Sequence, residues 1–485
     1  MLKQASIYLV AHGSSALLGL LSVVLFTRLL SPAEYGIYIV GMSVAGIISA
    51  LLFTWVRLSI LRFESEGGAV DMRRTALHAY RLSLLAAPLA VVVTVYATGE
   101  YFTRALFPTL LAVALGLFEF NQEILRARQN SRAYLRAAIL RAAVTLGLSL
   151  ALISAGLGGV GMMLGLAGAY ALTALLFAPR VWERPVRPFD RKAFLQMVRF
   201  GVPMALSGAV FALSAALDRL IVSGYLGEAA AGVYGASADL VRQILVFPAV
   251  AIASAVFPMA IRSLTEGGRA AVDAHLIKSA ELLLAVVTPA AVGLAIVAPN
   301  VASLILGSEF HDAAATLIPI LVFASLFQTI STQFVHVSFH LAKKPRLMAV
   351  QGAGNLAVNV VAMVVLVPRF HLVGAAWALV LAEGAGVVFG YLLGMRAHRL
   401  PLALLPFLKV AMAVVAMALA TTYVEWHAPT RPIWNLTLTV ATGVIVYAAV
   451  AFAIDLADVR SSLIGRARRA VSRPGEKERA AELAA

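Results

Sequence analysis

The sequence predicts an all-α polytopic membrane protein of about fourteen transmembrane helices, built as two six-helix lobes plus a C-terminal helix pair. Three observations carry that expectation. Of 485 residues, 61% are hydrophobic and only 13% charged, with a mean hydropathy of +0.89, whereas soluble domains run near a quarter charged. Apolar stretches of about 20 residues, the length that crosses a bilayer, recur along the chain. Two short segments also repeat at equivalent places in its two halves. The absence of cysteine excludes a disulfide scaffold and thiolate metal sites.

Windows bounded by charge place the spans near 7–30, 36–56, 79–98, 105–124, 137–156, 159–179, 200–223, 232–260, 277–298, 313–338, 347–367, 371–395, 403–423 and 433–454. Lys and Arg then set the sidedness. Arg57, Arg62, Arg73 and Arg74 follow the second span, and Arg126, Arg128, Arg132 and Arg136 follow the fourth. Arg180, Arg184, Arg187, Arg191, Lys192 and Arg199 follow the sixth, Lys343, Lys344 and Arg346 the tenth, and the C-terminal tail is basic. The opposite loops hold only Arg28, Arg104, Arg219, Arg369 and Arg431. Positive loops stay in the cytoplasm, so both termini are expected there, in a bacterial inner membrane. The net charge of +15 is thus mainly a topology signal and does not point to nucleic acid. Lys3 precedes a long first span with no small-residue cleavage site, so no cleavable signal peptide is expected.

Leu30, Ala33, Gly36 and Tyr38 after the first span return as Leu226, Ala229, Gly232 and Tyr234 after the seventh, at an offset of 196. A second echo links Val160-Gly161 to Val373-Gly374. The expected organisation is a first lobe over 1–190, a second over 191–400, a helix pair over 401–456 and a basic cytoplasmic tail over 457–485. The charged 180–199 segment joins the lobes. Two lobes of one orientation suggest a transporter whose path lies between them and opens by rocking.

The run from Thr27-Arg28-Leu29-Leu30 through Glu34-Tyr35-Gly36 to Tyr38 resembles the N-terminal signature of the polysaccharide transport family. These are oligosaccharide-lipid flippases of the multidrug/oligosaccharidyl-lipid/polysaccharide (MOP) exporter superfamily. Leu217-Asp218-Arg219-Leu220, running on to Gly232 and Tyr234, is similar to their second-lobe signature, as are Asn355, Asn359, Val367-Pro368 and Val373-Gly374. His371 departs from the pattern, standing where a glycine is expected in the turn after Pro368. The resemblance implies movement of a polyprenyl-diphosphate-linked oligosaccharide to the outer leaflet, for exopolysaccharide, capsule or O-antigen assembly. Its partners would be that lipid-linked substrate, the surrounding lipids, and the polymerase and glycosyltransferases of the same pathway.

A flippase needs a wet cationic cavity for the sugar diphosphate, and charged groups inside spans are the candidates, because each costs roughly 2.5–3.5 kcal/mol at a helix centre. Asp239 and Arg242, at i and i+3, suggest an anion ligand with its restraining partner, or a purely structural ion pair. Arg57 either reaches the cavity or snorkels as a topology charge. Arg28 and the Asp218–Arg219 pair, placed at matching outer ends of the first and seventh spans, are gate candidates with Glu34 or Glu228 as partners; helix capping is the alternative. Glu383, deep in the twelfth span, is the candidate for coupling to H⁺ or Na⁺, against a plain interhelical hydrogen bond. His12, His336 and His340 titrate near neutrality if exposed to water, and Asn355 with Asn359 suits interhelical hydrogen bonds.

No Walker-type glycine loop and no His-Glu-x-x-His spacing occurs, so no catalytic residue, cofactor or metal is expected. Two other functions compete: a multidrug/cation antiporter of the same superfamily, disfavoured by two extra helices and no acid in the first span, and a membrane polysaccharide polymerase or ligase, disfavoured by short external loops.

Overall fold

The computed structural model describes residues 18–65, 73–98, 102–182, 188–344, 346–401, 404–427 and 432–461, and no strand occurs among them. The first helix, α1 (Leu18–Leu29), ends just before a capping box. The Ser31 hydroxyl accepts the Glu34 N–H, and the Glu34 carboxylate takes the Ser31 N–H at 3.1 Å, with Pro32 opening the helix. This explains the first repeat segment locally: it starts α2 (Pro32–Leu52). The chain bends at Phe53 into α3 (Thr54–Ser65), then forms α4 (Arg73–Leu84) and α5 (Ala87–Thr98) as one broken pass, followed by α6 (Phe102–Ala127). Asn130 caps α7 (Ser131–Leu152), and a wide turn over Ile153–Leu157 leads into α8 (Gly158–Trp182).

Asp190 caps α9 (Arg191–Leu226), which is 36 residues long. The 191–199 segment, expected as part of a charged connection, is therefore the first turns of this helix. Gly227, at φ +86°, ends α9 and starts α10 (Glu228–Ile296). There follow α11 (Ala298–Ile305), α12 (His311–Ile330), α13 (His336–Leu341), α14 (Arg346–Met395), α15 (Leu404–His427) and α16 (Pro432–Ala453). Among the described residues ten stretches are long and apolar enough to cross a membrane. Dividing Ser131–Trp182 and Arg346–Met395 at their internal breaks, and adding α1 and the first half of α10, gives the expected fourteen passes. The chain is a multi-pass membrane protein. The residues before 18 and after 461, with His12 and nearly all of the basic tail, lie outside the described residues, as does Arg431.

Sharp breaks fall on residues with positive φ, while helices continue through Pro203 and Pro319. Gly268 divides α10 at φ +68°. The second sequence echo proves to be one such break used twice. Gly158 has φ +48°, ψ −135°, and His371 has φ +51°, ψ −131°, three residues before Gly161 and Gly374 respectively. Both Gly161 and Gly374 sit where a Cβ would press on backbone eight or nine residues earlier, so the reversals close tightly. The anomalous histidine thus occupies a backbone conformation that glycine adopts freely and other residues do not.

Two cores fill the first half, one around Phe53, Tyr80, Phe120 and Met197, the other around Ile48, Leu111 and Met163. The first of these includes Ala193, Met197 and Ala205, so the N-terminal half of α9 is seated in the first-half core. A lobe boundary at 190 accordingly cuts a packing unit. The C-terminal half of α9 joins α10, α12 and α14 in the largest core, which also takes Phe26 and Leu30 from around α1 and Tyr35 and Ile39 from α2. The C-terminal pair leans on the second half of α10: Tyr447 donates to the Ala285 carbonyl at 2.6 Å, and Glu281 accepts the Ala457 N–H at 3.0 Å.

At the seam between the halves, the two copies of the first repeat face each other. A Cβ on Gly36 of α2 would fall 1.9 Å from the Glu228 carbonyl oxygen of α10, and one on Gly232 would fall 2.0 Å from the Pro32 carbonyl oxygen. With an offset of 196, Gly36 maps onto Gly232 and Pro32 onto Glu228, so the contact is reciprocal, as across a two-fold axis. Neighbouring contacts close the same end: Gly307 N–H donates to Thr27 Oγ1 at 3.2 Å, and Tyr35 meets Phe310 edge-on at 5.9 Å.

His371→Gly should relieve the backbone strain and raise stability by about 1 kcal/mol or more. Unfolding in detergent checks it: the glycine variant should melt higher than the parent, and its side chain, which is exposed, offers no lost packing to offset the gain.

Candidate functional site

Charged side chains from α9 and α10 meet behind the closed end. Asp239 on α10 accepts from Arg219 of α9 at 2.6 Å and from Arg242 at 2.9 Å, one turn along its own helix. The Arg219 and Asp239 side chains are only 13% and 19% exposed, whereas Arg242 remains 51% exposed. Such a pair holds in a water-poor setting only because the charges compensate each other. The expected Asp239–Arg242 pairing on one helix face is present, but the shorter partner of Asp239 is Arg219.

The gate partners expected for Arg28 and Arg219 are not the ones they take. Arg28 donates to the Leu304 carbonyl, and Glu34 is engaged by its cap with Ser31. Asp218, 7% exposed, accepts the Arg219 backbone N–H at 2.8 Å and the Tyr234 hydroxyl at 3.3 Å. Nor do the two sites match in depth. Arg28 lies at the last turn of α1, whereas Arg219 stands eight residues before Gly227, about 12 Å along the helix. The reason is that α9 runs two turns beyond Arg219, so its guanidinium points at α10 within the seam.

A cavity of about 170 Å³ opens on the second-half side of this ion cluster, between α9, α12 and α14. Asp218, Arg219, Arg242, His336, Asn355, Asn359 and Glu383, separated by up to 165 positions in sequence, all line it. Glu383 is 8% exposed and accepts from Gln328 at 3.1 Å and from Asn355. Gln351 donates to Ser331 Oγ at 2.7 Å and to the Gly386 carbonyl at 2.8 Å. Asn355 thus makes the interhelical bond expected of it, while the Asn359 Oδ1 has no donor.

A second cavity, of about 200 Å³, lies on the other side of Asp239. It is walled by Tyr35, Tyr38, Arg141, Thr145 and Tyr170, with Gln243 reaching in from α10. The Arg141 guanidinium stacks 5.4 Å from the Tyr170 ring centre and 6.0 Å from that of Phe118. Sequence reasoning missed Arg141. The available signal was an arginine at the middle of α7, which a span begun at 137 disguises as an end charge. Arg57 lies elsewhere, paired with Glu119 of α6 at 2.6 Å with both side chains about a third exposed or less. It lines neither cavity, and its acidic partner was also missed. No cluster of three metal-ligating side chains occurs among the described residues.

Asp239→Asn would strand two arginines, and removing one member of a buried pair costs about 3–5 kcal/mol. Unfolding of the purified variants should therefore show a loss of about 3 kcal/mol for Asp239→Asn and under about 1 kcal/mol for Glu266→Gln, whose pair with Arg262 is exposed.

Known proteins share both the fold and parts of the sequence. The chain is 23% identical over 396 residues to the "probable low-salt glycan biosynthesis flippase Agl15" of Haloferax volcanii, covering 80% of this chain and 82% of that one. Its fold matches that of the lipid II flippase MurJ in an inward closed conformation, with a TM-score of 0.74 at 15% identity, over 92% of this chain and 98% of that one. An inward-facing multidrug resistance transporter of the MATE family, in the MOP superfamily, matches with a TM-score of 0.56 at 17% identity, over 79% and 94% of the two chains. A family model described as polysaccharide biosynthesis protein matches residues 25–315, more than half the chain, and the protein belongs to that family.

Proposed function

We propose that the protein flips polyprenyl-diphosphate-linked oligosaccharides across the cytoplasmic membrane by alternating access, for surface or exopolysaccharide assembly. The observation that carries this reading is the set of arginines in the seam. Arg141 on one side of α10, and Arg219 with the half-exposed Arg242 on the other, line cavities inside a chain whose outward surface is largely apolar. Asp239, Asp218 and Glu383 balance these arginines in number, but Asp239 is shared between Arg219 and Arg242, and Arg242 stays half-exposed and open to a ligand. Intramembrane arginines are costly unless something anionic meets them, and a sugar diphosphate is such a group. The prenyl tail has no need to leave hydrocarbon.

Membership in a polysaccharide biosynthesis family and similarity to a glycan-biosynthesis flippase support the same reading. The second favours transport over bond-making chemistry. With the basic loops in the cytoplasm, the Gly36–Gly232 end faces outward and both termini lie inside. The substrate then enters from the cytoplasmic side, its diphosphate neutralises Arg242 and Arg141, and parting of α2 from α10 releases the head group outward. Glu383 takes up and releases the coupling proton in this cycle, and the enzymes that build and polymerise the glycan supply and consume the substrate.

Reconstitution with a fluorescent polyprenyl-diphosphate oligosaccharide tests the proposal. Arg242→Ala should slow flipping about tenfold or more, the worth of one charge-assisted contact, while Arg396→Ala, at an exposed surface position, should stay near the parent rate. Equal rates for the two variants, or no flipping by the parent, would contradict it. Glu383→Gln should abolish the response of the rate to an imposed pH gradient; an unchanged response removes Glu383 from coupling.

A further inference from the structure

The second-half cavity has a composition that the transport reading leaves unexplained. A diphosphate needs cations, yet beyond Arg219 and Arg242 the wall is mainly amides and hydroxyls, with the carboxylates of Asp218 and Glu383, His336 and the ring of Phe211. Gln328, Gln351, Asn355 and Asn359 line it, with Glu383 between the first and third. Asn359 is 3% exposed and leaves its side-chain carbonyl oxygen without a donor, whereas the Gln351 amide is engaged by Ser331, the Gly386 carbonyl and His336. A buried unsatisfied acceptor costs about 1–3 kcal/mol, so one in the wall of a cavity calls for a ligand that donates hydrogen bonds.

The remaining wall completes the specification. Phe211 of α9 is 40% exposed and lies against Gly352 of α14, where a Cβ would meet its ring at 3.1 Å. Gly352 therefore leaves room for the ring beside α14, in a wall otherwise rich in polar groups from α12 and α14. An aromatic ring beside amide and carboxylate groups matches a pyranose ring, which presents axial C–H groups on one face and hydroxyl donors at its edge.

Size and charge argue against the alternatives. At about 170 Å³ the cavity is well below the ~300–1,000 Å³ of pockets for larger ligands, so it takes one ring of a glycan. It is several times the ~30 Å³ share of one water, too roomy to cage a bare cation. Both carboxylates in its wall are already engaged, Glu383 by Gln328 and Asn355 and Asp218 by Arg219 and Tyr234, and two arginines stand beside them, which disfavours a cation.

We propose that this cavity is a monosaccharide subsite that selects the transported glycan by its hydroxyl pattern, with Arg242 at the mouth holding the adjoining anionic group. The transport reading supplies the reason for a sugar to be there, and the proposal rests on it. The subsite binds one neutral sugar unit through Asn359 and Glu383 as acceptors, with Phe211 stacked on the ring. Specificity then resides in α12 and α14, apart from the arginines that recognise the diphosphate common to all such lipids.

Direct binding tests it without transport. Saturation-transfer NMR on the full-length protein in nanodiscs would be run with a panel of free hexoses, N-acetylhexosamines and hexuronic acids, and melting measured in sodium, potassium and choline chloride. The expected result is selective binding of one or a few sugars, weakened about tenfold or more by Phe211→Ala and by Asn359→Ala. Phe211→Ala removes a half-exposed side chain and so keeps the test available if the buried Asn359 variant fails to fold. Three results overturn the proposal: no sugar binding, binding unaffected by Phe211→Ala, or stabilisation by sodium alone that Asn359→Ala removes, which would make this a cation site. Sugar binding without flipping of the lipid-linked glycan would sink the transport reading and leave the subsite standing. Flipping without sugar binding would do the reverse.

Discussion

The contact between α2 and α10 is the constraint on which the rest of the structure depends. Two backbones approach so closely at Gly36 and Gly232 that each glycine lies against a carbonyl of the other helix, and no side chain fits between them. Within a bilayer there is little hydrophobic drive to bring helices together, so close packing of small residues does that work. Because the two contacts are related by the internal repeat, they act as a matched pair and close one end of the seam symmetrically. The seam behind them is therefore closed at this end.

That closure also positions the charges. Bringing α10 against α2 places Asp239 between the two cavities, where it holds Arg219 and Arg242 on one side and faces the Tyr35, Tyr38 and Arg141 wall on the other. Asp218 stands beside Arg219 as a second acid, so the cluster is balanced in charge. It ties α9 to α10, and it leaves Arg242 half-exposed.

Much of this architecture was legible in the sequence, because hydropathy, loop charge and the repeats report the same physics that forms the spans. The repeats marked the seam, and the missing glycine at position 371 marked a turn that takes a glycine-like conformation. Site residues were legible only as rare charges. Asp239, Arg242 and Glu383 stood out, but their partners did not, since Gln328, Gln351 and Arg219 approach them through tertiary packing that no local spacing encodes. Arg28 and Arg219 looked alike as loop charges, and the length of α9 separates them. Arg141 was hidden because a span boundary drawn a few residues late turns a central charge into a terminal one.

The central claim is that the glycine contact holds this end shut. The chain has no cysteine, so spin labels can be placed at Leu29 and Glu309, exposed residues from the two halves that flank the closed end. Pulsed electron paramagnetic resonance in nanodiscs would compare the parent with Gly232→Ala and Gly232→Leu. A single short-distance population in the parent, joined by a longer one that grows from the alanine to the leucine variant, is the predicted result. The same distance distribution in all three folded proteins would contradict the account.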